Sequence, residues 1–263
     1  MSTRLAPAIE VIRSRLARKD ILFIDGLPWP VSARILVLAP HPDDFDTIAV
    51  TLRFFRDRGD EIHLTILSSS ASGVEDSFCR LPTAAAKGAI REREQQASCR
   101  LFGLPDDRLV FLRLPEDESG NPRDDDRNYA TVCGHLQAAQ PDLVFLPHGN
   151  DPNPGHRLAS DMLWRFSVES DFSFIALLNR DPKTLQMRSD LYTPFDEDDA
   201  RWKAALLRCH QSQQQRNLNT RGYGFDERIL RMNRQAAAEI PGRAAYAEAF
   251  ELWVPEPPKD TSC

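Results

Sequence analysis

The sequence has few cysteines and no pattern among them. Cys79, Cys99, Cys133, Cys209 and Cys263 are odd in number and scattered, with no C-x-x-C pair. That excludes a disulfide framework and a cysteine-rich zinc site, and makes a reducing, cytoplasmic interior the expected setting. Long apolar runs are missing too. Stretches such as Ile35 to Pro40 and Phe174 to Leu178 fall far short of the ~20 residues needed to cross a bilayer, so no membrane span is expected. Positive charge is not in excess: 33 Lys and Arg stand against 39 Asp and Glu, a net charge of -6, which gives the chain no global reason to bind nucleic acid. No G-x-G-x-x-G follows the first strand-like run, which disfavours a nucleotide-dependent dehydrogenase. The first residues carry no signal-peptide h-region. Leu5, Ile9, Ile12 and Leu16 instead recur at helical spacing among Arg13, Arg15, Arg18 and Lys19. The preferred reading is a surface helix packed on the domain; an Arg-rich transit peptide is the alternative, weakened by Glu10 and Asp20.

What is present is enough for a real core. At 263 residues, 41% hydrophobic and 27% charged, the chain reads as globular. Short apolar strands alternate with helical patterns. Arg34 to Ala39 is a first strand, followed by helical spacing through Ile48, Leu52 and Phe55 and a closing Gly59. Further strands are expected at Glu61–Leu67, Leu109–Leu114, Asp142–Pro147 and Phe172–Leu178, with helices from about Ala84, around Tyr129–Gln140 and from His156 to Val168. The pattern then loosens into a strand near Leu185–Tyr192, helices over Asp198–Gln214 and Glu227–Ala238, and a last strand at Ala249–Val254. The expectation is an α/β, Rossmann-like, mostly parallel sheet with helices on both faces. Residues 34–263 form one domain on this reading, with residues 1–33 a helical extension packed on it.

Ligands of such sheets bind beyond the carboxyl ends of the strands, where the strand order reverses. If the early strands take the order 3-2-1-4, the first and fourth flank that point. Their following loops carry the most unusual polar clusters: His41-Pro42-Asp43-Asp44, and His148 to His156 with Asp151 between. Two imidazoles and a carboxylate can hold a divalent metal and leave one position open to water, as in catalytic zinc sites. Hydrolysis also needs a base beside that water. Adjacent Asp43 and Asp44 suit the division, one binding and one free. The bland alternatives stand beside this: Asp43 and Asp44 as helix caps, His148 as an ordinary loop histidine, and the Pro and Gly around it as turn punctuation.

At these residues the sequence resembles the PIG-L/LmbE-like family of zinc-dependent N-acetylglucosaminyl deacetylases. Pro40-His41-Pro42-Asp43-Asp44-Phe45 is similar to its Ala-His-Pro-Asp-Asp-Glu motif, and Pro147 to His156 matches the length and ends of its second motif, Pro-x-x-Asn-Asp-x-His-x-Asp-His. Arg91, Glu94, Ala97, Leu101 and Gly103 look like its Arg-x-x-Glu-x-x-Ala helix. Lys203 to Leu206 and His210 to Gln213 resemble its Lys-x-x-Ala-Leu…His-x-Ser-Gln helix. The resemblance implies that His41, Asp44 and His156 bind zinc (ferrous iron being possible at the same ligands), and that Asp43 is the general base for attack on an acetamide. Arg91 and Asp151 are implied on the substrate side. Three departures matter. Phe45 replaces a Glu, Asn153 stands where a catalytic His is usual, and Gly155 where an Asp supports that His. Asn153 can donate a hydrogen bond to an oxyanion but cannot supply a proton, so protonated Asp43 or His210 would complete amine departure. His210 has a supporting role as its other reading.

The leading expectation is therefore a metal-dependent amidohydrolase acting on a small N-acetylated sugar or sugar conjugate. A metal- and sugar-binding member without turnover is the alternative from another class. An iron(II) oxygenase shares a two-His, one-carboxylate set, but usually on an all-β scaffold with closer spacing. Loops Ser68–Thr83 and Glu116–Arg127 are expected to wall the cleft. Acidic residues dominate the second, so a strongly anionic substrate is not expected. Oligomeric state is not legible.

Overall fold

The structure, a computed structural model, describes residues 4–240, 242 and 244–255. Cys263 and the two outer ends of the expected division, residues 1–3 and 256–263, lie outside the described residues.

Among the described residues, eight strands form one sheet: β1 (Leu22–Phe23), β2 (Arg34–Ala39), β3 (Glu61–Ile66), β4 (Leu109–Phe111), β5 (Leu143–Pro147), β6 (Ile175–Asn179), β7 (Leu191–Phe195) and β8 (Tyr246–Trp253). Their spatial order is β1-β7-β8-β6-β5-β2-β3-β4. The five strands from β4 through β6 run parallel, and β8 is antiparallel to both its neighbours, β6 and β7. The helices are α1 (Ala6–Ala17), α2 (Ala49–Asp57), α3 (Ala84–Phe102), α4 (Asp126–Ala139), α5 (Pro154–Glu169), α6 (Glu197–Arg208), α7 (Gln211–Arg221) and α8 (Phe225–Ala238). The mostly parallel α/β class and the order 3-2-1-4 among the early strands are as expected. No helix among the described residues is long and apolar enough to cross a membrane.

The strands read as continuous apolar runs because both faces are buried. In β2, Ile35, Val37 and Ala39 join one core with Leu5, Ala8, Ile9 and Ile12 of the α1 region and with Leu52, Phe55 and Phe102. Leu36 and Leu38 point the other way, into a second core with Val132, Leu136, Leu158 and Leu163 from α4 and α5. Side-chain alternation along a strand thus serves two layers at once.

Two expectations shift. The helix expected over Asp198–Gln214 is two helices, broken at His210 (φ -83°, ψ 64°). No Gly or Pro causes the break. The Glu94 carboxylate accepts hydrogen bonds from the Ser212 backbone N–H (2.6 Å) and Oγ (2.7 Å), satisfying an otherwise orphaned donor in the first turn of α7. The strand expected near Leu185–Tyr192 begins only at Leu191. It tolerates Pro194 because β1 pairs only with Leu191 and Tyr192, leaving the proline's other side uncovered.

The C-terminal half is tied to α2 by one buried ion pair. Lys203 Nζ lies 2.6 Å from Glu248 Oε1 and 3.0 Å from Asn233 Oδ1, while Glu248 also accepts from the N–H groups of Val50 (3.0 Å) and Thr51 (2.8 Å). Both partners are sealed from water. Replacing Lys203 with Met is expected to cost about 3–5 kcal/mol, because a buried carboxylate loses its cation. Urea unfolding at neutral pH checks this, and a cost under ~1 kcal/mol would show the pair to be dispensable.

Candidate metal centre and cavity

The site forms where β2 and β5 end side by side. Beyond β2, Pro42 is followed by Asp43 at φ +95°, a left-handed conformation that aspartate tolerates better than most residues. Two side chains of α3 hold it there. Gln95 Oε1 accepts from the Asp43 N–H at 2.7 Å, and Arg91 Nη2 donates to Asp43 Oδ2 at 2.9 Å and to the Pro42 carbonyl. A 3-10 turn, Asp44–Ile48, follows, and Asp44 Oδ2 accepts from the His41 N–H at 2.9 Å. Beyond β5, Asn153 caps α5 by accepting from the Gly155 N–H at 3.0 Å, with Pro154 in the first turn. His156 follows on that turn.

The carboxylate of Asp44 lies between the two imidazoles. Oδ2 is 3.5 Å from His41 Nδ1 and Oδ1 is 3.5 Å from His156 Nε2. One donor atom from each of the three residues lies within 4.8 Å of the others, and the ring centroids are 5.3 Å apart. Asp44 and His156 are buried, at 6% and 3% exposure. This donor set fits a divalent cation: two imidazole nitrogens and one carboxylate converge at longer than hydrogen-bond distance beside the cavity. Gly155 makes room for it, since a Cβ there would lie 2.6 Å from His41 Nε2. Behind His156, Asp151 Oδ2 is 3.3 Å from Nδ1, a placement that turns Nε2 toward the site. Asp181, just past β6, forms a second possible trio with Asp151 and His156.

Burial opposes charge on His156, but Asp44 and Asp151 outweigh it and push the imidazole up to about 10. Burial likewise opposes the Asp44 charge, yet His156 and His41 hold its carboxyl far below the usual range. Burial raises Asp181. The Asp44 and His156 shifts describe a carboxylate–imidazolium pair.

A cavity of about 110 Å³ opens over the trio and is lined in part by Asp43, Arg91 and Asn153. Two expected site residues are elsewhere. The Asp151 side chain is fully buried behind His156 and is absent from the cavity wall. His210 is also fully buried, with Nε2 2.7 Å from Asp46 Oδ2. Asp46, overlooked in the sequence, also accepts from Gln95 Nε2 at 3.2 Å and from Ser98 Oγ. Phe45 packs edge-on against Phe102, at 4.9 Å, so the polar group missing at position 45 has a buried carboxylate one residue later. Gln95 therefore joins His210 and Asp46 to the backbone of Asp43. Its signal was its place one residue after Glu94 in the weaker α3 motif. Loop Ser68–Thr83 contributes Ser70 and Gly73 to the wall, and loop Glu116–Arg127 contributes Gly120 and Asn121 to an adjoining groove. Asp181, Lys183, Arg216, Asn217 and Arg228 also line the cavity and were not anticipated.

Fold and site together define a single α/β sheet with a metal-type His/Asp cluster at its switch point. The model of the GlcNAc-PI de-N-acetylase family, PIG-L, matches residues 36–167, and the chain belongs to that family. Solved structures that share the fold include three deacetylases. The N,N'-diacetylchitobiose deacetylase of Pyrococcus horikoshii, complexed with its inhibitor MPG, is 20% identical, with a TM-score of 0.69 and 84% of each chain covered. The A40926 pseudoaglycone deacetylase is 15% identical, with a TM-score of 0.64, covering 86% of this chain and 99% of that one. The zinc-inhibited form of teicoplanin deacetylase is 14% identical, with a TM-score of 0.59, covering 84% and 98%. No curated protein matches the sequence.

Two outcomes follow from this geometry. Below pH ~10 the His156 proton must leave before a cation can bind, so zinc uptake at pH 8 is expected to release about one proton from this residue, and affinity should climb with pH toward 10. Calorimetry in buffers of different ionisation enthalpy reads the proton count; uptake with no release would contradict the assignment. Gly155→Ala should force the His41 ring aside and weaken metal binding by about tenfold or more while the far-UV spectrum stays unchanged. Unaltered affinity would mean that His41 is not a ligand.

Proposed function

We propose that the chain is a metal-dependent hydrolase that removes the acetyl group from an N-acetylated sugar or sugar conjugate of the N-acetylglucosamine type, with Asp43 as general base. The observation that carries this reading is Asp43 itself. Its carboxylate lines the same cavity as His41, Asp44 and His156, yet is held apart from that trio by Arg91. Zinc, or ferrous iron in its place, would be held by the trio and would supply Lewis acidity toward the amide carbonyl and the attacking water.

The chain's own residues account for the remaining steps. Arg91 Nη2 fixes one oxygen of Asp43, leaving the other to take the proton of the attacking water. The Asn153 amide is oriented by its cap: Oδ1 is engaged by the Gly155 N–H, so Nδ2 is the atom available to an oxyanion. Asp43 can then return its proton to the departing nitrogen, giving acetate and a free amine. The seclusion of His210 supports Asp43 over it for this last transfer, and assigns His210 to positioning through Asp46 and Gln95. Arg91 also serves as part of the substrate wall, whereas Asp151 is better read as the support of His156. The cytoplasmic setting inferred from the cysteine pattern and a small sugar as partner, rather than nucleic acid, belong to the same reading. So does a single domain over 34–263 with residues 1–33 packed against it, supported by Leu5, Ile9 and Ile12 in the shared core.

A second reading, a metal- and sugar-binding protein without turnover, is favoured by one observation. Among the described residues, the imidazoles lining the cavity are those of His41 and His156, so no third histidine is placed to protonate the amine. Metal content and acetate release from N-acetylglucosamine conjugates separate the two. His41→Ala is expected to lose both, and Asp43→Asn to keep the metal while losing about 10²–10⁴-fold in kcat. Asp43→Asn working at the wild-type rate would falsify the base assignment, and bound metal with no acetate from any conjugate would select the binding protein.

A further inference from the structure

One asparagine on the cavity wall is placed against the ordinary rules of packing. Gln213, Arg216 and Asn217 of α7, at i, i+3 and i+4 spacing, share the face that lines the cavity. Asn217 is 4% exposed, while its neighbour Leu218 is 49% exposed. An amide is thus buried in a helix interior and a leucine beside it is left in water, the reverse of what burial favours. Asparagine is also a poor helix former, because its side chain competes for backbone hydrogen bonds. Here Nδ2 does so, donating back to the Gln213 carbonyl at 2.9 Å. Among the described residues, the buried Oδ1 has no partner.

The helix holds this acceptor in a fixed place. The Glu94 carboxylate takes the N–H and Oγ of Ser212 at its start, and the Gly73 carbonyl accepts from Gln213 Nε2 at 3.0 Å and from Arg216 Nη1 at 3.3 Å. The other unpartnered buried atoms of the wall are nitrogens: Arg91 Nε and Nη1, and His156 Nδ1, which faces Asp151. Asn217 Oδ1 is therefore the wall's orphaned acceptor, and such atoms are rare unless a ligand or water supplies the donor. Position narrows the choice of donor. Asn217 lines the inner cavity with Asp43, Asp44 and His156 but is absent from the adjoining groove, to which Arg216 also contributes. At about 110 Å³ the inner cavity holds only a few water molecules. A group seated at the trio and a group seated at Asn217 are then separated by only a few bonds of the same ligand.

We propose that Asn217 is a specificity-determining residue, whose Oδ1 accepts the N–H of the acetamide to be cleaved. The identity of the reacting group rests on the hydrolase reading; the demand for a donor at Oδ1 does not. A secondary acetamide carries one N–H, and holding it fixes how the nitrogen meets the proton that Asp43 returns. An acetyl ester puts an oxygen there instead, acceptor against acceptor, and an N-alkylated amide puts a carbon there. Either leaves Oδ1 buried and unpaired. Selectivity of this kind comes from a polar atom deprived of its partner rather than from pocket size, and it is the stronger of the two.

The test compares acetate release by the metal-loaded protein from three sugars: N-acetylglucosamine, its N-methylated analogue, and the glucoside that carries the acetyl group as a 2-O-ester. Wild type should prefer the N–H amide to the N-methylated one by about tenfold or more in kcat/KM. Asn217→Ala makes room for the methyl group and favours the helix. It should lose about tenfold on N-acetylglucosamine, change little on the other two sugars, and so erase the preference. Asn217→Asp keeps an oxygen in the same place and should retain it. Equal losses on all three sugars would mark a merely structural role and overturn the proposal. A loss that tracks a missing hydroxyl in deoxy analogues, rather than the N–H, would assign Oδ1 to that hydroxyl and overturn it equally. Binding of the same sugars to the metal-free protein is read by calorimetry. An N–H preference in Kd that vanishes in Asn217→Ala upholds the contact even if no acetate is released, a result that would count against the hydrolase reading alone. Acetate release with equal kcat/KM and equal Kd for the N–H and N-methylated sugars overturns the contact and leaves the hydrolase reading in place.

Discussion

Asp44 occupies the one position where two imidazoles from separate loops can share a carboxylate. His41 comes from the turn after β2 and His156 from the first turn of α5, after β5, and those strands are hydrogen-bonded neighbours through Ile35–Leu143, Leu36–Val144 and Val37–Phe145. Parallel neighbours deliver their C-terminal loops to the same edge of the sheet, so the meeting is a consequence of register. The cluster also stores a choice. Without a cation, Asp44 and His156 neutralise each other as carboxylate and imidazolium; with one, the proton must go. Other features of the site act on this cluster from outside: Asp151 from behind His156, Gly155 by leaving His41 room, and α3 by fixing the adjacent Asp43.

Three of the four sequence motifs turn out to be parts of one hydrogen-bonded assembly, and the second meets it where His156 faces Asp44. Glu94 of α3 caps α7 at Ser212, Gln95 links Asp43 to Asp46, and His210 closes on Asp46. The Lys203 ion pair then ties α6 to β8 and, through Val50 and Thr51, to the start of α2 just beyond the turn that carries Asp44. A strained, left-handed aspartate is held by contacts from α3, and those contacts depend on helices near the far end of the chain. This explains why weak motifs in α3 and around His210 accompany strong ones at the loops. They are the scaffold that holds Asp43.

The parts legible in the sequence were those that depend on local rules. Strand runs, their parallel order and the His-x-x-Asp turn follow from periodicity and from where doubly wound sheets bind ligands. What was not legible depends on which side of a short turn each side chain faces. Phe45 reads as the loss of a polar group, but the 3-10 turn points it at Phe102 and gives Asp46 to His210 and Ser98. Hydrophobic pattern carries no information about that choice, since both residues end up buried. The break at His210 was equally hidden, because its cause is a carboxylate on another helix. Asp151 was assigned to the substrate side from its place in a motif, whereas the turn of the loop sends its carboxylate behind His156.

Charge shows the same limit of local reading in another form. The acidic residues of loop 116–127 argue against a strongly anionic ligand, yet the loop contributes only Gly120 and Asn121 to the groove. The cations arrive instead from α7, α8 and the segment after β6, where the hydrophobic pattern is loosest. That looseness has a physical cause: an element that packs on one side and walls a wet cavity on the other interrupts its apolar stripe with polar residues. Beyond a Debye length of ~8–10 Å, exposed acidic residues elsewhere contribute little to the field inside the chamber. The charge around the cavity is therefore set by the few side chains that enclose it rather than by the overall balance of the chain.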